Sequence, residues 1–189
     1  MEFDVRFSIE GEAVIVHDET LDRIFHVPRR VRDLSAKELA DIGVPTLSEV
    51  LAALPVATLI DLELKEQPSD ALFATVIAAR GAAAEGIVLS SFQPAVLHRV
   101  KEFAPTWPRW LNAETVEEAE QAAALGCVGL SVAHDLLNDV RVRNWYEAGL
   151  EIAAWTIRDV QGAAWTRDPR MTALCVEGEG VTAARAAMR

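Results

Sequence analysis

Short apolar runs of strand length alternate along this chain with amphipathic stretches of helical period, and the cycle recurs roughly every 22 to 28 residues. The strand-like runs are residues 1–7, 58–65, 87–92, 109–113, 127–133, 150–157 and 172–178. Between them lie segments with helix signals. Thr46 to Glu49 and Thr115 to Glu118 are capping boxes, Pro94 stands at a favoured first helical position, and Gly126 and Gly149 suit helix ends. Strand–helix alternation of this kind builds βαβ units and a parallel sheet. The short period fits a β/α barrel better than a doubly wound sheet. Seven main strands are expected, with AVIVHD (13–18) forming a side hairpin. A capping box followed by the alanine-rich run to Gly126 predicts one helix there.

Two of the strands carry a pattern that a buried parallel strand should not have. In TLIDLELK (58–65), Ile60, Leu62 and Leu64 alternate with Asp61, Glu63 and Lys65. In MEFDVRF (1–7), Phe3, Val5 and Phe7 alternate with Glu2, Asp4 and Arg6. A strand points successive side chains to opposite faces, so each of these has one apolar and one charged face. Parallel strands are ordinarily covered on both sides, and a charged face is expected where the strands open onto a site. The alternative is a pair of half-solvated strands.

If they share a site, Glu2, Asp4 and Glu63 supply three carboxylates that repel one another unless a cation lies between them. Carboxylate oxygens suit hard ions such as Mg²⁺, Ca²⁺ or Mn²⁺. Lys65 points the same way as Glu63 and can hold an anionic oxygen as a point charge. His17 closes a strand and is followed by Asp18, which can orient an imidazole that titrates near neutrality. Trp155, inside a strand, is either core or a stacking wall. His134-Asp135 reads mainly as a helix cap at Asp135, and His26 and His98 as surface residues.

Composition narrows the partners. A formal charge of −11 argues against nucleic acid or an anionic membrane as the main partner, because an acidic surface offers neither any counter-charge. No apolar run approaches the roughly 18 residues of a membrane span, and the opening residues show no export signal. A cytoplasmic protein acting on a small molecule is expected, although a segment ahead of residue 1 could carry such a signal. No glycine-rich phosphate loop is present. Cys127 and Cys175 read as buried, reduced thiols.

Taken in order, Glu2-x-Asp4-Val5, Val14-Ile15-Val16-His17-Asp18-Glu19-Thr20-Leu21-Asp22-Arg23, Pro45-Thr46-Leu47, Leu62-Glu63-Leu64-Lys65, Leu89-Ser90-Ser91-Phe92 and Ala154-Trp155-Thr156 resemble the glycerophosphodiester phosphodiesterase family. The resemblance implies an α/β fold of the TIM-type (β/α)8 barrel. It also implies metal-dependent hydrolysis of glycerophosphodiesters to glycerol 3-phosphate and an alcohol. On that likeness Glu2, Asp4 and Glu63 hold a divalent metal, Mg²⁺ or Ca²⁺. His17 is one of two catalytic histidines, Lys65 contacts the phosphate, and Trp155 lines the substrate pocket.

The family's opening strand with His-Arg-Gly, and the helix begun by Glu-Asn-Thr, have no counterpart here. Residues 1–189 therefore read as one domain of about seven βα units lacking the first, whether as a piece of a longer protein or by loss. An impaired enzyme, or a barrel that keeps only a metal or phosphate-ligand site, is the alternative expectation. The strands at 1–7 and 172–178 are expected to be open edges with Phe3 and Val5 uncovered, which predicts self-association.

Overall fold

Alternation in the sequence becomes alternation of burial in the structure. In the computed structural model, strand β1 (Glu2–Phe7) turns through Gly11 into β2 (Ala13–Ile15), its antiparallel partner, with Val5 opposite Ile15 and Phe7 opposite Ala13. Gly11 has φ +87°, a conformation that favours glycine, and its carbonyl accepts a 2.6 Å hydrogen bond from Ser69 Oγ. Residues 1–188 are described; Arg189, the last residue of the expected domain, lies outside the described residues.

The chain divides into two units, the first being Met1–Trp107. After β2 come short helices α1 (Asp22–Phe25), α2 (Ala36–Ile42) and α3 (Leu47–Ala53), then strand β3 (Ile60–Leu64). Helix α4 (Asp70–Arg80), strand β4 (Ile87–Ser91) and helix α5 (Pro94–Phe103) complete the unit. Its strand order is β2-β1-β3-β4, and β1, β3 and β4 run parallel. Thr46 caps α3 with the expected box. Ser35 and Glu38 form an equivalent box on α2.

The core of this unit gathers Val5, Phe7, Ile60, Leu62, Leu64, Phe73, Leu89 and Val100, with Phe73 stacked on Phe103 at 4.0 Å between ring centres. Each fully buried aliphatic side chain contributes about 1.5–3 kcal/mol. Two expectations are corrected here. Val5 is fully buried and Phe3 is partly buried against the same core, so neither is uncovered. The far edge of β1 is covered over Val5–Phe7 by the β2 hairpin, while β3 pairs its other edge over Glu2–Val5.

The second unit runs from Pro108. Strand β5 (Arg109–Ala113) precedes α6 (Val116–Ala119) and α7 (Ala122–Leu125), and β6 (Gly129–Ala133) precedes α8 (Asp139–Glu147). Strand β7 (Glu151–Ile157), helix α9 (Val160–Ala163), strand β8 (Met171–Val176) and helix α10 (Glu179–Ala187) follow. The strands are in sequence order and parallel. The single helix expected over 116–125 is interrupted by a tighter turn in which Gln121 N donates to Glu118 O. Asn138, not Asp135, caps α8, its side chain accepting from Arg141 N at 2.9 Å. His134 and Asp135 lie in a 3-10 turn before it. Cys127 is buried, whereas Cys175 is only partly so; both are free of disulfides.

Candidate metal centre

The site is built by register. In the parallel pair of β1 and β3, Glu2 lies opposite Asp61 and Asp4 opposite Glu63. On β3 the apolar residues Ile60, Leu62 and Leu64 are buried, leaving Asp61 and Glu63 on the other face with partial burial. One oxygen from each of Glu2, Asp4 and Glu63 lies within 4.8 Å of the others. An ion coordinated at about 2.3–2.6 Å spans oxygens as far apart as about 5 Å, so three hard oxygen donors at this separation fit a divalent cation.

Electrostatics fit the same way. Crowding of the Glu2 carboxyl by surrounding protein, then the charges of Asp4, Asp61 and Glu63, push its pKa up to about 7. Burial raises Glu63 as well, despite its hydrogen bond from Lys65. Burial alone lowers the Lys65 ammonium, but its hydrogen bonds and charge pairs with Glu63 and Asp4 prevail and raise it. Lys65 Nζ is 2.9 Å from Asp4 Oδ1 and also ion-paired with Glu63 Oε1, so it neutralises two of the three carboxylates. Its backbone is fixed from the next strand and beyond, with Ser91 Oγ donating to Leu64 O and Gln93 Nε2 to Lys65 O, each at 2.7 Å.

His17 is brought beside this cluster by the hairpin. Val16 N donates to Asp4 O at 3.0 Å, and Arg6 Nε donates to His17 O at 2.9 Å. The imidazole is exposed, with Nδ1 2.7 Å from Asp18 Oδ1. Asp18 is gripped in turn by Arg23, Nε to Oδ2 at 2.6 Å and Nη2 to Oδ1 at 3.0 Å. Those hydrogen bonds, from Arg23 first and then His17, hold the Asp18 carboxyl far below its ordinary value. With Nδ1 engaged, Nε2 is the nitrogen open for proton transfer.

Glu2, Asp4, Glu63, Lys65 and His17 thus lie together in the first unit. Trp155 belongs to the second, where its Nε1 donates to Ser131 O at 3.1 Å. Sequence reasoning gave no separate role to Asp61 or Arg23. Asp61 could have been singled out as the third charged residue on the Glu63 face. Arg23 stands five residues from Asp18, a separation that becomes contact only because α1 turns the chain back.

The sequence profile of the glycerophosphoryl diester phosphodiesterase family matches residues 1–178. The Bacillus subtilis (strain 168) protein YhdW, named as a candidate glycerophosphodiester phosphodiesterase, is 25% identical over 94% of this chain and 80% of its own. A Thermotoga maritima glycerophosphodiester phosphodiesterase crystal structure superposes with a TM-score of 0.77 at 23% identity, covering 100% of this chain and 84% of that one. An Oleispira antarctica phosphodiesterase, solved with the product sn-glycerol-3-phosphate, gives 0.78 at 23% identity, over 99% and 83%. These structural likenesses show the fold, the α/β barrel class expected from the strand–helix alternation. With the family profile matched along nearly its whole length and the acidic cluster in place, the chain belongs to the glycerophosphoryl diester phosphodiesterase family.

Proposed function

We propose that this chain hydrolyses glycerophosphodiesters to glycerol 3-phosphate and an alcohol at the Glu2–Asp4–Glu63 cluster, with Mg²⁺ or Ca²⁺ as the ion. The observation that carries the reading is the convergence of three carboxylate oxygens within 4.8 Å beside a lysine and a histidine. Family membership supplies the metal-dependent phosphodiesterase chemistry, and the product bound by the Oleispira antarctica relative supports glycerol 3-phosphate as the leaving product.

In this reading Glu2, Asp4 and Glu63 would hold the cation, and the ion would supply charge stabilisation to the phosphoryl group. Lys65, which pairs with Asp4 and Glu63 in the metal-free chain, would be the ammonium available to a phosphate oxygen of the substrate. His17 moves a proton at the attacking or leaving oxygen through Nε2, while Asp18, clamped by Arg23, fixes the ring. Trp155 is assigned to the wall of the alcohol or glycerol pocket. The substrate is a small molecule; among the described residues no helix is long and apolar enough to cross a membrane. Association of chains through the outer edge of β8 is part of the proposal, since β8 ends the sheet order and is only partly buried.

The test is release of glycerol 3-phosphate from glycerophosphocholine by protein stripped with EDTA and then given Mg²⁺ or Ca²⁺. Activity restored by either ion is expected. Activity indifferent to stripping refutes the metal assignment, and no release with any ion refutes the phosphodiesterase reading.

A further inference from the structure

Asp61 is the carboxylate of this face that the reaction does not use. It projects from β3 on the same side as Glu63, two residues away, and stands opposite Glu2 in the β1–β3 register. Its Oδ1 is sealed from solvent and has no hydrogen-bond partner, while the carboxylate is also held by a hydrogen bond from the hydroxyl of fully buried Ser90 on β4. A buried carboxylate oxygen without a donor destabilises the fold that contains it. Placed among Glu2, Asp4 and Glu63 it also adds like-charge repulsion. A chain needing only packing and the Ser90 hydrogen bond at this position is served as well by asparagine, which has the same shape and no charge. The cost is explained if a positive charge arrives that all four carboxylates share.

We propose that Asp61 is a fourth carboxylate of the cation site, standing behind Glu2 and Glu63 and strengthening the hold on a hard divalent ion. It is a positioning residue: its oxygen is not among the three that converge, and it acts through them. The inference rests on the metal reading above. Outer carboxylates of metal sites raise affinity by about 10- to 100-fold.

The experiment titrates Mn²⁺ into the metal-free whole chain by calorimetry at pH 8, with thermal melts alongside, for the wild type, Asp61→Asn and Ser90→Ala. The expected result for Asp61→Asn is a Kd for Mn²⁺ weaker by about 10- to 100-fold, with a metal-free melting temperature equal to or above that of the wild type. Ser90→Ala, which keeps the carboxylate and frees its orientation, is expected to weaken Mn²⁺ binding less. Wild-type affinity in Asp61→Asn overturns the proposal. So does an Asp61→Asn chain that melts earlier than the wild type, or fails to fold, in metal-free buffer, because Asp61 then holds the fold itself. A wild type that binds no Mn²⁺ overturns the metal reading and this inference with it; binding by the wild type with no change in the variant overturns the inference alone.

Discussion

Replacing Lys65 with methionine removes the positive charge between Asp4 and Glu63 while keeping a side chain of similar length. All three side chains are mostly shielded, at 14% exposed for Lys65, 21% for Asp4 and 12% for Glu63. Each charge pair at about 4 Å and an effective dielectric near 20 gives about 4 kcal/mol before desolvation. Taking one partner from a buried ionic group costs about 3–5 kcal/mol net. For a chain of this length each kcal/mol moves the melting temperature by about 2–4 °C. Metal-free Lys65→Met should therefore melt about 6–20 °C below the wild type at pH 8. The loss should shrink towards pH 5. Glu2 and Glu63 already have raised folded-state pKa values, and removing the lysine raises them further. Carboxyls raised in this way destabilise the fold as pH climbs from the unfolded value near 4.5 through the folded one, and stop doing so once protonated. Added Ca²⁺ or Mg²⁺ should return most of the lost stability, giving a larger metal-induced shift in the variant than in the wild type, because the ion then replaces the ammonium. Differential scanning fluorimetry with and without metal at pH 5, 6.5 and 8 makes the measurement. Equal metal-free melting temperatures at pH 8, or equal metal shifts, refute the argument that Lys65 and the cation compete for the same carboxylates.

Three further outcomes are expected. His17→Ala should lose about 10²- to 10⁴-fold in turnover on glycerophosphocholine, while a calorimetric titration shows its metal affinity kept. Metal affinity in the wild type should fall as pH drops through about 7, where the Glu2 carboxyl takes up a proton that competes with the ion; a pH-independent Kd between 6 and 8 contradicts that. In the second unit, Asp168 accepts from Arg170 Nε at 2.9 Å and Nη2 at 2.6 Å, and these hydrogen bonds lower its pKa. Its stabilisation is present above the unfolded value near 3.8 and disappears as pH falls through the lowered one. Asp168→Asn should cost about 1–3 kcal/mol at pH 7, read from urea melts, and less at pH 3.

The period-two patterns of residues 1–7 and 58–65 made both the parallel strands and their acidic faces legible, since alternation alone decides which side chains share a side. The capping boxes at Thr46 and Thr115 marked helix starts for the same local reason. Register is different. That Asp4 faces Glu63, and Glu2 faces Asp61, depends on how far β1 slides along β3, which no local pattern encodes. The burial of Asp61 Oδ1 follows from that register and from Ser90 on the neighbouring strand, so a sequence reading could place it on the charged face and no further. Likewise Val5 was expected to be bare because covering was reasoned from whole βα units. The β2 hairpin and the Leu47–Leu51 face of α3 share its cluster instead. The stretch from Leu21 to Val44 was the least legible. Its own small core, Leu21, Val31, Leu34, Leu39 and Val44, is assembled from turns too short to show a period.

The position of a bound ion decides whether Glu2, Asp4 and Glu63 form one metal site. Crystals of the chain soaked in Mn²⁺, measured at the manganese absorption edge, test it most directly. One anomalous peak is expected, with an oxygen of each of the three carboxylates about 2.0–2.6 Å away and the Lys65 ammonium moved off Asp4 and Glu63. A peak bound elsewhere, or a cluster still closed by Lys65 with no peak at saturating Mn²⁺, contradicts it.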